Sequence, residues 1–200
     1  IGVRLVGSEM CIRDRLVAGI NASAELTGQP PLILGRDEAY IGVLVDDLIS
    51  KTQEEPYRLF TSSAEHRLLL RQDNADLRLS ERAYQYGLIS GKEVEMARQR
   101  ARVIRDVMAW AETTKIVVTE RPLVRDTVIS QLRARRLDVS SALEMHASHE
   151  FRSAVRSISD VTESIEIEIS YEGYIRRHRE QVERLRASEA VTFPSDYAFS

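Results

Sequence analysis

The chain has 200 residues, a mass of 22.7 kDa and 43% apolar content, enough to bury a core in one domain or one and a half, which excludes disorder as its general state. Mean hydropathy is −0.28 and no apolar run approaches the ~20 residues a membrane-spanning helix needs, so a soluble chain with no membrane partner is expected. A net charge of −3 and a pI of about 5.9 exclude coating of nucleic acid by bulk charge, so any RNA contact has to be local.

Residues 1–15, IGVRLVGSEMCIRDR, carry no start methionine, no secretory pattern and no helix or strand period. Leu5–Arg15 resembles the in-frame translation of a transposase-library sequencing adapter, so residues 1–15 are expected to be an artefactual tail. Without it the chain has 25 basic against 29 acidic residues and loses Cys11, its one cysteine. Disulfides, thiolate metal sites and cysteine nucleophiles are then excluded, and an intracellular, cytoplasmic setting is the default.

From Leu16 the small residues Ala18, Gly19, Ala22 and Ala24 suit a helix packed close to another backbone, with Gly28 placed to end it. Pro30 and Pro31 then break the chain. A second helix is expected over 38–49, with Tyr40, Val43, Leu44 and Leu48 on one side and Asp46 and Asp47 near its end. Thr61 or Ser62 with Glu65 reads as a capping box opening a short helix over 62–71, followed by a polar turn at Asp73–Asp76 and a short helix over 80–87. Ser90 with Glu93 is a second capping box, and Val94, Ala97, Ala101, Ile104, Met108 and Ala111 continue it as a helical stripe.

Ile116–Thr119 is β-branched but short, either an extended piece or a linker. Helices are expected over 123–135, 140–145 and 149–158. From Thr162, Ile165, Ile167, Ile169 and Tyr171 alternate like a strand, while Ile167, Tyr171, Tyr174, His178, Val182 and Leu185 step like a helix. The second pattern runs for five turns, so a helix is expected. The fold class is therefore all-α, with at most one short extended segment.

No glycine-rich phosphate loop of the G-x-G-x-x-G or G-x-x-x-x-G-K type is present, so nucleotide binding is not encoded in these residues. His146 and His149 beside Glu144 and Glu150 lack the third ligand of a metal site and are expected on the solvated surface. Asp46 and Asp47 are expected to face water or a neighbouring arginine, and His66 has no nucleophile in a recognisable context. No catalytic or metal-binding residue is assigned.

The basic residues are 25 Arg and only three Lys, Lys51, Lys92 and Lys115. A GC-rich genome gives that bias, but guanidinium also forks onto carboxylate and phosphate. Four of these arginines, Arg58, Arg67, Arg71 and Arg78, crowd one stretch. They suit either a row of phosphates or an ion-pair lattice with Glu65, Asp73, Asp76 and Glu81. The run Arg176, Arg177, Arg179, Arg184 and Arg186 is interleaved with Glu180 and Glu183, the pattern of a solvated helix face.

The blocks GRDEAYIGVLVDDL (35–48), EPYRLFTSSAEHRLLLRQDNADLRL (55–79), YGLIS (86–90) and EIEISYEGYIRRH (166–178) resemble the MnmG (GidA) family of FAD-dependent tRNA uridine 5-carboxymethylaminomethyl modification enzymes. The resemblance covers Leu16 to the end. It implies that residues 16–34 are the last helix and exit of an FAD-binding domain and 35–200 a helical C-terminal domain cut short after a stretch at Phe193–Tyr197 that is similar to the family's IPxDFDY.

It further implies a homodimeric bacterial or organellar enzyme that works with an MnmE-type GTPase and uses FAD, NADH and a folate on the wobble uridine of tRNA. FAD and NADH are then expected to bind outside this chain, which alone is expected to be inactive. The role implied for it is tRNA contact through Arg58, Arg67, Arg71 and Arg78, with the GTPase docking on later helices. The alternative is a structural and protein-interaction module with no RNA contact. Ser63 stands where the family usually has Arg, and His66 where it usually has Tyr. The first change removes a positive charge from the block expected to meet RNA.

Overall fold

A computed structural model describes residues 9–51, 61–120 and 123–189. Among them are eight α-helices, one 3-10 turn and one two-stranded hairpin, so the all-α expectation holds. Helix α1 (Glu9–Thr27) is followed by α2 (Tyr40–Ser50), the 3-10 turn Thr61–Ser63, α3 (Ala75–Gln85) and α4 (Gly91–Thr113). The hairpin β1 (Lys115–Glu120) and β2 (Leu123–Thr127) leads into α5 (Val128–Arg133), α6 (Val139–His146), α7 (His149–Arg156) and the long α8 (Val161–Glu189).

Helix α1 begins at Glu9 and runs through the boundary expected at Leu16, so the last residues of the adapter-like stretch are helical despite lacking an apolar period. At its other end Gly28, at φ +68°, lets the Gln29 N–H return to the Ala24 carbonyl at 2.8 Å. Asn21 then fastens the proline-broken segment to the helix. Its side-chain oxygen accepts from the Leu32 N–H at 2.6 Å and its amide donates to the Leu32 carbonyl at 3.3 Å.

The main core is built by the second half. Eleven apolar side chains are buried together there, from Val107 and Ala111 of α4 through Val128, Ile129 and Leu132 of α5 to Val161 and Ile165 of α8. Each short helix feeding this core carries its own N-terminal bond: Thr127 accepts from the Ser130 N–H, Asp138 from Ser141 and Ser148 from Phe151. The Ser90–Glu93 capping box of α4 forms as expected, with the Ser90 N–H donating to Glu93 at 2.7 Å.

Four expectations are corrected. Residues 62–71 are not a helix but the 3-10 turn and a run of turns, because Glu65 is taken by Arg36 rather than by the backbone of Ser62. Arg67 and Arg71 therefore do not share a helix face. The first part of the helix expected over 123–135 is β2, paired antiparallel with β1 from Lys115 opposite Thr127 to Glu120 opposite Leu123. The strand partner overrides the local helical pattern. Helix α3 starts at Ala75, within the expected turn, with Asp76 in its first turn. Finally, α8 is helical but buries Val161, Ile165, Ile175 and Val182, while Tyr171, Tyr174 and Leu185 of the expected stripe face solvent.

Gly42 marks a close approach. A Cβ there would lie 2.6 Å from the Leu34 carbonyl oxygen and closer still to that of Gly35, both backbone atoms that cannot rotate away. Gly42→Ala should destabilise the chain by about 2 kcal/mol through overpacking, read as a lower urea midpoint, whereas Gly19→Ala, with open space around it, should leave the midpoint unchanged or raised.

Candidate functional site

Arg36 sits in the loop before α2 and reaches three carboxylates and a carbonyl. Its Nη1 donates to Asp46 at 2.8 Å and to Asp47 at 2.7 Å, its Nε and Nη2 fork onto Glu65 at 2.6 and 2.9 Å, and Nη2 also donates to the Ser63 carbonyl at 3.0 Å. Asp47 is buried and also meets Lys51 across one helical turn at 2.7 Å. The Glu65 fork, opposed by burial and aided by Asp47 and Asp46, raises the guanidinium pKa above its already high ordinary value. In return Arg36 holds the Glu65 carboxyl below the usual carboxylate range.

A second network surrounds the turn at 71–76. Arg71 pairs with Asp73 at 3.0 Å, donates to the Leu68 carbonyl at 3.0 Å and approaches Glu168 of α8 at 3.5 Å. Arg78 donates to the Asn74 side chain, to the Arg71 carbonyl at 2.9 Å and to the carbonyl of Glu38. Burial, with Arg71 nearby, pushes its pKa down. Arg100 of α4 donates to the Asp73 carbonyl at 3.0 Å, to Asp76 at 2.7 Å and to the buried Ser164 hydroxyl of α8 at 2.6 Å.

The four arginines singled out in the sequence therefore part company. Arg58 lies outside the described residues. Arg71 and Arg78 are turned inward, and Arg67 is exposed and makes no hydrogen bond or ion pair among the described residues. The acids proposed as lattice partners are all engaged, but mostly by other cations: Glu65 by Arg36, Asp76 by Arg100 and Glu81 by Arg98. Arg36 and Arg100 were not singled out, because their partners lie 29 and 64 residues away and no local spacing records that.

Between α3, α4 and α8 the network borders a groove of about 760 Å³, with Leu77, Ile104, Met108 and Val182 on its apolar wall. Arg71 and Arg78 line it too, but with their N–H groups already committed. Among the described residues no group of three or more His, Cys, Asp or Glu could hold a metal ion, and no helix is long and apolar enough to cross a membrane. His146 and His149 are exposed, as the sequence suggested.

Fold and network together define a helical domain braced by partly buried arginines. No family model matches the chain. It is 39% identical over 210 residues to the tRNA uridine 5-carboxymethylaminomethyl modification enzyme MnmG of Chlorobium luteolum, a match covering 97% of this chain and 33% of that protein. The protein of the same name from Bacillus cereus is 42% identical over 199 residues, covering 95% of this chain and 31% of its own length.

The solved structure of Aquifex aeolicus GidA in its form II crystal superposes with a TM-score of 0.75 at 33% identity, over 96% of this chain and 31% of that one. The chain thus spans about a third of the length of the relatives it matches. Over that third, its sequence and fold are similar to those of MnmG (GidA) proteins.

Arg36→Met should cost about 2 to 3 kcal/mol, since it strips a cation from a buried carboxylate while part of the network stays solvated. The Glu65 share of that loss depends on pH. Its lowered carboxyl stabilises the fold above its unfolded pKa, and the gain is lost as pH falls through the lowered folded value. The gap between the urea midpoints of parent and variant should therefore narrow as pH falls below about 4.5. Arg98→Met, at an exposed pair, should leave the midpoint unchanged.

Proposed function

We propose that the chain is the helical portion of an enzyme that places a 5-carboxymethylaminomethyl group on the wobble uridine of tRNA, and that it serves there as a braced platform carrying part of the tRNA surface. The similarity over nearly the whole chain to proteins named for that reaction carries this reading. In the complete enzyme FAD and NADH would be held outside these residues. The sequence has no glycine-rich phosphate loop, and the arginines of the groove donate to protein acceptors, so the described residues do not fit a dinucleotide. Homodimer contacts and docking of an MnmE-type GTPase on the later helices belong to the same proposal.

Arg67 and Arg58 are the candidates for phosphate contact, and Arg71 and Arg78 are assigned to bracing. A guanidinium that already satisfies three acceptors gains little from a phosphate and would leave carbonyls unpaired on turning outward. The inward bonds of Arg71 and Arg78 equally support the second reading, a structural and protein-interaction module with no RNA contact.

A salt titration of tRNA binding separates the readings. Under the first, log affinity falls with log salt by about 0.7 to 0.9 per phosphate contact, and Arg67→Gln flattens the slope by about one contact without changing the melting temperature. Arg71→Gln with Arg78→Gln should lower the melting temperature instead. Absence of salt-dependent tRNA binding by the parent chain would establish the structural reading.

A further inference from the structure

His66 and His178 meet edge to face across the fold, with ring centroids 5.7 Å apart and planes at 88°. His66 belongs to the turn after the 3-10 segment and is 4% exposed. His178 lies in the second half of α8. The Nδ1 atom of each ring is buried without a hydrogen-bond partner. An unpartnered nitrogen is tolerable as the bare acceptor of a neutral imidazole. Once protonated it becomes a charged donor with nothing to receive its proton.

The charged groups around His66 come from three elements. Glu65 of its own turn and Asp37 of the loop before α2 favour a proton, while Arg36 and His178 oppose it. Both acids are already claimed: Glu65 is forked by Arg36, and Asp37 is bonded to Arg186 of α8 at 2.7 Å. Neither hydrogen-bonds the Nδ1 of His66. This contact and the Arg186–Asp37 bridge join the second half of α8 to the arginine network around Arg36.

We propose that the His66–His178 contact is an acid-sensitive latch, closed while the His66 imidazole is neutral and released when it protonates, freeing the second half of α8 from the turn at 64–70. Burial holds His66 below the ordinary histidine range, which gives the sign. The stabilisation is complete above about pH 6.5, where the unfolded ring is also neutral, and it is lost as pH falls through the lowered folded value. No carboxylate need titrate in that window. The latch stands independently of any RNA-related role, because it rests on the two rings and their surroundings.

The test is hydrogen exchange of the amides over 174–184 in the whole chain, corrected for intrinsic rates, between about pH 7.5 and 5.5. The parent should show opening increased several-fold at the acid end, where the open state takes up a proton that the buried His66 resists. His66→Phe, which keeps an aromatic ring in the contact but cannot titrate, should show no such increase. If that variant does not fold, His66→Gln takes its place with the same expectation. Unchanged protection of the parent across the range overturns the latch. Equal acid opening in parent and variant overturns it too, since a group other than His66 would then be the cause.

Discussion

The first half of the molecule depends on one guanidinium. Arg36 joins the loop before α2, the buried Asp47 near the end of that helix, and the turn at 63–65, three pieces with few apolar residues to hold them together. Among the described residues, the buried apolar cluster in that region is Val43, Ala64 and Leu70, with Tyr40 packed against it. A carboxylate as buried as Asp47 cannot remain charged without a cation, and Arg36 and Lys51 both meet its Oδ1. That requirement also shapes the backbone. With Glu65 drawn to Arg36 it cannot complete a capping box, so a stretch with a helix-start pattern becomes a series of turns, and Arg67 and Arg71 point in different directions.

The second network extends the same principle to the helix junctions. Arg71, Arg78 and Arg100 converge on a six-residue turn and donate largely to backbone carbonyls that a turn leaves unpaired. Through Ser164 and Glu168 the arrangement ties α3 and α4 to α8. Lysine would be a poor substitute at Arg36 and Arg71, where a fork reaches one carboxylate while the remaining nitrogen reaches further carboxylates at Arg36 and a carbonyl at Arg71. An arginine-rich block in a chain similar to tRNA-modifying enzymes thus has a large internal demand for guanidinium, and the number of arginines near a turn is a poor measure of its RNA surface.

Elements whose signals are local were legible in the sequence. The capping box at Ser90 and Glu93, the glycine stops at 28 and 87, and the length of the pattern in α8 each depend on residues within one or two turns. What stayed hidden was set by distant partners. Residues 123–127 carry a plausible helical pattern and become a strand because β1 lies beside them. The first half of α8 packs against α4, α5 and α6 and buries Val161 and Ile165 there, while Tyr171 and Tyr174 stay exposed, although both patterns have helical spacing. The four-arginine block was visible as a block, but which members turn inward also depended on Glu38 and Glu168, and no spacing rule connects these to Arg78 and Arg71.

The two halves therefore have different physical footing. Eleven packed apolar side chains hold α4 to α8, an interaction that salt strengthens slightly and pH barely touches. The region from α2 to the turn at 71–76 relies on ion pairs that are partly solvated, weakened by salt and lost with carboxylate protonation. Local opening should be easiest where apolar contacts are fewest, which places the mobile unit in the first half and the rigid one in the second. Helix α8 belongs to both. Its start is locked in the apolar core by Val161 and Ile165, and its second half is held to the ionic region by His178 and Arg186, so it is the element through which a change in charge around Arg36 reaches the rest of the chain.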